Sequence, residues 1–472
     1  MIAPVSRTYF AFVCTEGQEY TARTMTTNTL RAGAARVDIT PAKPLQLSGY
    51  PHVRRISEGV HDPLWASALY LESGGAAVAL IALDLIFLDS PTARACRREV
   101  AAALRLPEAA VCISCTHTHS GPNMVRRPPG TGGGGALTDP DDAYVASVAE
   151  RIRAAALAAQ AAAVPAALAW TSAEIRGVGT NRHNPGWTTD PVCGILAVRT
   201  RDGDALSGLA TFYGMHPTVL HEDSRLVSSD FPHYAREHLR TAFGGQTVVC
   251  YHNAPCGNQS PRHVVRGQTF AEAERLGNLF GAAVAGAVRA LRPADYTAAP
   301  VLAAALRAVD LPRRAIPPPA EAEATLAHYR RQYSEGRERG APRADVRTAE
   351  CAVFGAERLV ALARAKADGS LDALLDSCLP ADVQALRIGD RFVTALPGEL
   401  FTEYALRIKA DLPGAIPVAY ANGMLHGYVV TPKAAAAGGY EAAGSVLAPE
   451  AGARLSDAAV ATAIGLRDTE TV

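Results

Sequence analysis

Residues 66–88 of the chain read ASALYLESGGAAVALIALDLIFL. Two aliphatic runs flank Gly74-Gly75, and this pattern predicts a β-hairpin. Apolar residues at helical spacing over 90–106 then lead to a further strand at 110–115. Because strands and a helix follow one another so closely, we expect helices that pack on a β-sheet.

The same alternation continues along the rest of the chain. Further strands are predicted at 166–175, 192–200, 206–212, 247–251, 383–388, 391–395 and 416–421. Further helices are predicted at 142–163, 234–242, 270–291, 400–410 and 450–466. No internal repeat of solenoid or propeller length is present. We therefore expect an α/β fold with a mixed β-sheet core flanked by helices, preceded by a disordered leader over residues 1–30.

Composition and charge exclude several classes of protein. The chain has 472 residues, 48% hydrophobic and 19% charged, which is enough apolar material for a large core. Its 46 basic and 46 acidic residues cancel, which excludes the field expected of a general nucleic-acid binder. No apolar run is long enough to span a membrane. Since the first residues also lack the pattern of a signal peptide, we predict a cytoplasmic protein.

Nine cysteines are scattered through the chain, and the single CxxC motif joins Cys112 to Cys115 within a predicted strand. Residues three apart on a strand point to opposite faces, so these thiols cannot share a metal or a redox role. Cys193 and Cys250 lie in similar apolar runs. We interpret all four as small buried hydrophobic residues with reduced thiols.

One segment, residues 315–349, differs from its surroundings in composition. It opens with Pro317-Pro318-Pro319 and carries many arginines and glutamates on a helical pattern around 326–333. A second predicted helix, 357–367, closes it. We predict a charged helical insertion around 315–367 that is solvated on the surface, with a partner-binding face as the alternative.

The residues THTHSGP, 116–122, follow directly on the predicted strand at 110–115. His117 and His119 are two residues apart, so in an extended backbone they would project together from the carboxyl end of the strand. Open α/β sheets place their ligand sites at such ends. Taken alone, the pair is equally consistent with a metal or catalytic role and with two loop histidines.

Other strand ends carry polar side chains in similar places. They are His216 in YGMHPT (213–218), the loop NAPCGNQSP (253–261), Glu399 in LPGE (396–399), and the tyrosines of GYV (427–429) and GYE (439–441). Each of these motifs also has a purely structural explanation. It can be an ordinary turn, the start of a helix or a tyrosine that packs in the core. Two imidazoles with a carboxylate are nevertheless the donor set of hydrolytic zinc sites.

In these residues the chain resembles the neutral, non-lysosomal ceramidases and their bacterial relatives over roughly residues 31–447. The matching motifs, in the same order along the chain, are GAARVDITP (33–41), SGY (48–50), HDPL (61–64), THTHSGP, SDFP (229–232), CGNQSP (256–261), PGE (397–399), GYVVT (427–431) and Tyr440-Glu441. The resemblance implies that residues 31–472 form a ceramidase-like catalytic domain.

The resemblance also implies roles for individual residues. A catalytic Zn²⁺ would be bound by His117, His216, Glu399 and the phenolic oxygen of Tyr428. His119 would lie beside the metal and act on protons or on the oxyanion. Of the remaining positions, Arg182 would hold the substrate, Tyr440 would stabilise the oxyanion, and Ser260 would be either the nucleophile or the group that positions water.

The activity implied is that of a zinc-dependent hydrolase, which cleaves the amide bond of an N-acyl compound with zinc-activated water. The substrate would be ceramide-like or a smaller acylated amine, with no nucleic-acid partner, no transmembrane segment and no oligomeric state predicted. The alternative is that the same zinc site hydrolyses an ester or a lactone, or transfers an acyl group to an amine. Covalent catalysis by Ser260 also stays open.

The chain departs from the family in two respects. It has no recognisable signal peptide, and it stops soon after Tyr440, so we expect no C-terminal immunoglobulin-like domain. A shorter amide is therefore at least as good a candidate as a sphingolipid. The glycines at 130–135 and the residues His183, Asn184 and Trp187 are predicted substrate-facing loops, although Trp187 is equally plausible as a packing residue.

Overall fold

The computed structural model of the protein describes residues 29–126, 138–203 and 205–467. Numbered in chain order, its strands are β1 (Arg31–Asp38), β2 (Gly59–Val60), β3 (Trp65–Ser73), β4 (Ala76–Leu83), β5 (Val111–Cys115), β6 (Val164–Glu174), β7 (Thr180–Asn181), β8 (Val192–Thr200), β9 (Leu206–Tyr213), β10 (Leu226–Val227), β11 (Val248–Asn253), β12 (Gln259–Ser260), β13 (Leu302–Val309), β14 (Ala381–Ile388), β15 (Arg391–Ala395), β16 (Glu399–Leu400), β17 (Ala415–Val418) and β18 (Tyr428–Val429). Residues 1–28 of the expected leader and the glycines at 130–135 lie outside the described residues.

The helices that accompany these strands are α1 (Ser90–Leu104), α2 (Asp142–Ala161), α3 (Phe231–Phe243), α4 (Phe270–Arg289), α5 (Pro319–Glu338), α6 (Arg343–Ala367), α7 (Ser370–Cys378), α8 (Thr402–Asp411), α9 (Pro432–Ala437), α10 (Tyr440–Gly444) and α11 (Ala451–Ile464). Short 3₁₀ turns lie at Glu108–Ala110, Pro261–His263 and Pro293–Asp295. Among the described helices, none combines the length and the apolar character that a membrane span requires.

Eight of the strands form one mixed sheet in the order β11-β9-β8-β6-β1-β3-β4-β5. The prediction of a mixed α/β fold is therefore confirmed. This sheet bends sharply at the join of β1 and β6, where only Arg31↔Pro165 and Ala32↔Val164 are paired. As a result the two halves face each other, and a Cβ added at Gly208 on β9 would lie 2.9 Å from Leu69 Cδ1 on β3.

A second, four-stranded sheet has the order β13-β14-β15-β17. Its inner side chains, such as Leu386 and Val393, share one buried cluster with residues from both halves of the large sheet, such as Leu80 and Leu196. The central apolar core is thus surrounded by three four-stranded faces. The sequence does not predict this arrangement, because it depends on which strand faces meet.

The outer side of each face is covered by helices. On β4 the side chains alternate between the two faces of the sheet. Val78 and Leu80 belong to the central core, while Ile81 and Leu83 belong to the cluster beneath α1 and α2. Helices α3 and α4 cover the half of the sheet that contains β9, and α7, α8 and α11 cover the small sheet. Burial on both faces explains why these strands are continuous apolar runs.

Several local predictions can be compared directly with these elements. The hairpin of β3 and β4 is confirmed, and its turn glycines Gly74 and Gly75 have φ angles of 60° and 81°, which favour glycine. Cys112 and Cys115 lie in different buried clusters, as expected from their opposite faces. Strands β1 and β13 and helix α7 were not predicted.

The charged insertion is a hairpin of two long helices, α5 and α6, rather than two short ones. The prediction of a solvated excursion holds for its outer face only. On the inner face Ala322 is fully buried, and Gly355 approaches α10 so closely that an added Cβ would be 2.8 Å from Tyr440 Cα. The insertion therefore packs on residues that the sequence places in the candidate site.

The carboxyl ends of several strands are held together at one end of the core. After β17 the chain forms backbone hydrogen bonds with both edges of the large sheet. Ala419 N–H donates to Asn253 O (2.8 Å), at the end of β11. Cys115 N–H in β5 donates to Tyr420 O (3.0 Å), so residues from β5, β11 and β17 meet at this end.

Replacing Leu80 by Ala should lower the free energy of unfolding by about 2–5 kcal/mol, because Leu80 is fully buried in the central core. The matched control is Leu279→Ala on α4, where the side chain is 42% exposed and the expected change is below about 0.5 kcal/mol. Urea unfolding followed by circular dichroism measures both. Equal losses in the two variants would contradict this description of the core.

Candidate metal and catalytic site

His117 lies two residues after the end of β5 and is fully buried. Its φ of 67° is unusual for a residue with a side chain, and the turn is held by a hydrogen bond from His117 N–H to Leu85 O (2.9 Å). The imidazole stacks on the ring of Tyr420 at 4.1 Å, and its Nδ1 lies 3.1 Å from Ile86 O. The other nitrogen, Nε2, is 2.7 Å from Glu399 Oε1.

His216 follows β9 and is held in a similar way. Its Nδ1 lies 3.0 Å from Cys256 O, in the loop after β11, and 2.9 Å from Gln259 O, in β12. Its Nε2 is 4.0 Å from the same Glu399 oxygen.

The tautomers of these two histidines follow from their partners. A carbonyl oxygen only accepts hydrogen bonds, so Nδ1 of each ring carries a hydrogen. The other nitrogen, Nε2, lies on the side of Glu399 in both rings, at 2.7 Å in His117 and 4.0 Å in His216. Histidines that bind metal ions are typically oriented by such a hydrogen bond from the nitrogen that does not bind the metal.

Glu399 and Tyr428 lie side by side because β16 and β18 are parallel and pair these two residues. Gly398, before the strand, has a φ of +85°, which allows the chain to turn into the site. Burial raises the pKa of Tyr428 well above its ordinary value, and Glu399 adds to this while Arg182 opposes it. Tyr428 is thus a phenol unless a positive ion compensates a phenolate.

His119 also lies in the cluster, and Nδ1 or Nε2 atoms of His117, His119 and His216 all lie within 4.8 Å of one another. Among the described residues its Nδ1 has no hydrogen-bond partner, unlike the Nδ1 atoms of the other two histidines. The ring leaves no room for a side chain at position 49, since a Cβ added to Gly49 would be 2.4 Å from the ring. Burial, with His117 adding to it, lowers the pKa of His119 well below its ordinary value, so the ring is neutral at pH 7.

Arg182 approaches the cluster from the end of β7. Its Nη1 lies 3.5 Å from His216 Nε2, and the guanidinium carbon is 5.1 Å from the centre of the Tyr428 ring. Glu441 Oε1 accepts a hydrogen bond from Arg182 Nε (2.7 Å), and its Oε2 lies 3.1 Å from His183 Nε2. The guanidinium is therefore fixed in orientation by a buried carboxylate.

Glu441 was not predicted to have a role of its own. It is buried and belongs to the GYE motif, but nothing in the sequence indicates that it pairs with a residue 259 positions away. Burial acts to raise the pKa of this carboxyl group, yet Arg182 and His183 together lower it to about 2.

Tyr440 is the first residue of α10, and its ring centre is 5.7 Å from that of Tyr428. Burial raises the pKa of Tyr440 to about 12, so its hydroxyl is a hydrogen-bond donor at neutral pH. Ser260 lies at the end of β12, where Oγ accepts a hydrogen bond from Arg262 N–H (3.3 Å). Within the part of the chain that is described, no hydrogen bond joins Ser260 Oγ to a histidine or a carboxylate.

A cavity of about 1280 Å³ opens onto this cluster. His119, Glu399, Tyr428 and Tyr440 line one part of it, and helices α5 and α6 line another. Trp187, in contrast, is 54% exposed and does not pack in a core. Its ring stacks near His183, with centroids 6.3 Å apart.

Comparison of the sequence with models of protein families identifies the family. The model of the neutral/alkaline non-lysosomal ceramidase N-terminal region matches residues 30–271, just over half of the chain. The chain therefore belongs to this family, and the resemblance is confirmed. No curated protein matches the chain.

Solved structures show the same fold. Neutral ceramidase from Pseudomonas aeruginosa is 20% identical with a TM-score of 0.71, and the alignment covers 95% of this chain and 76% of that chain. A ceramidase complexed with C2 is 19% identical with a TM-score of 0.71, and the alignment covers 93% of this chain and 75% of that chain. At such identities the likeness concerns the fold alone.

Replacing Glu441 by Gln should lower the free energy of unfolding at pH 7 by about 3–5 kcal/mol, because Arg182 would remain buried without its carboxylate. The folded-state pKa of about 2 is below the ordinary value of 4.5, so this contribution is complete above pH 4.5 and is lost as the pH falls towards 2. Urea unfolding at pH 7 and pH 3.5 should therefore show a smaller difference between wild type and variant at the lower pH.

The matched control is Glu58→Gln, which breaks the exposed ion pair with Arg225. It should change the free energy of unfolding by less than about 1 kcal/mol at either pH. A Glu441→Gln protein as stable as the control variant would contradict the view that Glu441 neutralises Arg182.

Proposed function

We propose that the protein is a zinc-dependent hydrolase that cleaves the amide bond of an N-acyl compound. Membership of the ceramidase family supports amide hydrolysis of ceramide-like substrates. The observation that carries the metal assignment is the pair of buried imidazoles, each with Nδ1 on a backbone carbonyl and Nε2 directed at Glu399.

The proposed ligands are His117, His216, Glu399 and Tyr428, and this donor set suits zinc. Imidazole nitrogen and carboxylate oxygen are common zinc ligands, and a bound cation would compensate a phenolate at Tyr428. When bound, the ion would polarise the amide carbonyl and lower the pKa of water towards about 7. His119 is left out of the set because no hydrogen-bond partner among the described residues orients its Nδ1.

His119 is instead assigned to proton transfer. It is neutral at pH 7 and lines the cavity, so it can accept a proton from the attacking water. The imidazolium that results then donates the proton to the departing amine. Gly49 leaves the space that the ring occupies, because a Cβ at this position would be 2.4 Å from it.

Tyr440 and Arg182 are assigned to the substrate. The Tyr440 hydroxyl would donate a hydrogen bond to the negative charge that develops on the amide oxygen, an effect typically worth about 3 kcal/mol. Arg182, fixed by Glu441 and 3.5 Å from His216 Nε2, would hold the substrate beside the scissile bond.

Ser260 is assigned to positioning water rather than to nucleophilic attack. A serine nucleophile needs a base within hydrogen-bond reach. Ser260 Oγ accepts a hydrogen bond from the backbone N–H of Arg262, and a hydrogen-bond donor cannot act as the base. The hydroxyl hydrogen remains for donation to a water molecule.

Replacing His117 or Glu399 by Ala should remove bound zinc and lower amide hydrolysis by at least about a hundredfold, because each change removes a proposed ligand. Metal content is measured by mass spectrometry, and activity by release of free amine from N-acyl amines of graded chain length. A chelator should inactivate the wild type and added zinc should restore it.

His238→Ala is the matched control, since His238 lies on α3 with Asn278 as its hydrogen-bond partner and is not part of the histidine cluster. It should keep both zinc and activity. Full activity in metal-free His117→Ala protein would contradict the mechanism. Zinc-loaded protein that hydrolyses esters or lactones but no N-acyl amine would contradict the substrate class.

Replacing Ser260 by Ala should lower kcat by at most about a hundredfold, because a misplaced water still reacts. A covalent mechanism instead predicts a loss of about 10⁴-fold or more. Steady-state kinetics on an N-acyl amine separate the two. Ser456→Ala on α11 controls for the loss of a buried serine, since that hydroxyl is bonded to Gly452 O within its own helix.

A further inference from the structure

The turns that carry the two proposed histidine ligands share one buried side chain, that of Asn253. Asn253 is the last residue of β11 and is fully buried. Its Nδ2 donates one hydrogen bond to Thr116 O (3.0 Å) and another to Met215 O (3.1 Å). Each of these carbonyls belongs to the residue directly before one of the proposed ligands, His117 and His216. A single amide group therefore binds the peptide units that lead into both ligands.

The orientation of this amide follows from its partners. Nδ2 faces two carbonyl oxygens, which only accept hydrogen bonds, while Oδ1 accepts a hydrogen bond from Met215 N–H (3.1 Å). Oδ1 also lies 3.4 Å from Cys256 Sγ. Both hydrogens and the oxygen of the amide are thus engaged within the protein. Asn253 is therefore suited to holding the chain in place rather than to contacting a substrate.

The strands that lead to the two histidines belong to different parts of the large sheet. β9, which leads to His216, pairs with β11, and this ladder places Tyr213 opposite Asn253. β5, which leads to His117, lies at the other edge of the sheet, separated from β11 in the strand order by β9, β8, β6, β1, β3 and β4. The chain after β17 connects β5 and β11 through two separate backbone bonds, whereas the side chain of Asn253 connects their ends directly.

The spacing of the two imidazoles decides whether they can bind one ion. The ring centroids of His117 and His216 are 4.8 Å apart. Bonds from zinc to imidazole nitrogen are confined to about 2.0–2.1 Å, so a displacement of either turn weakens binding. His117 is sensitive to such a displacement, because its φ of 67° places the ring at a sharp turn of the backbone.

We propose that Asn253 is a positioning residue for the metal site, and that its side-chain amide sets the separation of His117 and His216. It acts through the carbonyls of Thr116 and Met215 and touches neither the ion nor the substrate. This inference rests on the proposed zinc site, whose two imidazole ligands the amide holds in place. Partners that orient metal ligands from outside the coordination sphere typically change metal affinity about ten- to hundredfold.

Gln384 on β14 provides a matched control, because it makes the same kind of contact away from the histidine cluster. It is fully buried, and its Nε2 donates hydrogen bonds to Ala109 O (2.7 Å) and Val111 O (3.0 Å). Val111 begins β5, whereas Thr116 follows the end of the same strand. Replacing either amide by Ala removes two hydrogen bonds to backbone carbonyls, but only the change at Asn253 releases the histidine turns.

The test measures stability, zinc affinity and coordination geometry for Asn253→Ala and Gln384→Ala beside the wild type. Both variants should lower the urea midpoint of the metal-free protein, since each loses two buried hydrogen bonds. Asn253→Ala alone should raise the zinc dissociation constant about ten- to hundredfold, measured by competition with a chelator of known affinity. In the cobalt-substituted proteins, the visible absorption bands should shift in Asn253→Ala and match the wild type in Gln384→Ala.

Asn253→Ser covers the case in which Asn253→Ala does not fold. A serine hydroxyl has one hydrogen to donate, so it can serve only one of the two carbonyls. The zinc dissociation constant should therefore rise about three- to tenfold, as the loss of one neutral hydrogen bond predicts. Gln384→Ser is the matched control, and its zinc dissociation constant should stay within about twofold of the wild-type value.

The outcomes separate this inference from the function on which it rests. If the wild type binds zinc and an Asn253 variant binds it within about twofold as tightly, the role of Asn253 is overturned while the zinc site stands. An equal loss of zinc affinity in the Gln384 variants would also overturn it, because any buried amide would then have the same effect. If the wild type itself binds no zinc, the proposed function fails, and this inference fails with it.

Discussion

The candidate site depends on the hydrogen bonds that fix its two central imidazoles. His117 donates Nδ1–H to Ile86 O, and His216 donates to the carbonyls of Cys256 and Gln259. These bonds turn both Nε2 atoms towards Glu399, which completes a compact donor set. Without them the rings could rotate, and neither a metal ion nor a substrate would meet a defined geometry. His119, whose Nδ1 lacks such a bond, is therefore suited to moving protons instead.

The fold supplies these carbonyls by bringing distant strand ends together. The large sheet bends at β1 and β6 so that its two halves enclose a core with the small sheet. The chain after β17 then bonds to Asn253 and Cys115, which joins the ends of β11 and β5. The histidines, the CGNQSP loop and Glu399 thus come from a single rigid end of the core. Such preorganisation is what electrostatic catalysis requires, because the groups need not move as charge develops.

The strands and the residues at their ends could be predicted from the local sequence pattern, but the contacts between distant residues could not. Apolar runs such as 76–88 indicate strands because burial on both faces removes any alternation, and polar residues at their ends indicate a site. Two features escaped sequence reasoning because they depend on distant partners. Glu441 neutralises and orients Arg182, a residue far from it in sequence. On α6 the charged residues of the outer face dominate the pattern, so the sequence does not indicate that Gly355 packs on Tyr440. The insertion, predicted as a solvated excursion, is therefore a wall of the cavity that opens onto the histidine cluster.

The most direct test of the central claim is a crystal structure of the zinc-loaded protein with anomalous data collected at the zinc edge. The account predicts one strong anomalous peak about 2.0–2.2 Å from Nε2 of His117 and His216 and from a carboxylate oxygen of Glu399, with the Tyr428 oxygen also bound. Both Nδ1 atoms should keep their carbonyl partners. A peak bound by His119 in place of Glu399, or no peak in this cluster, would contradict it.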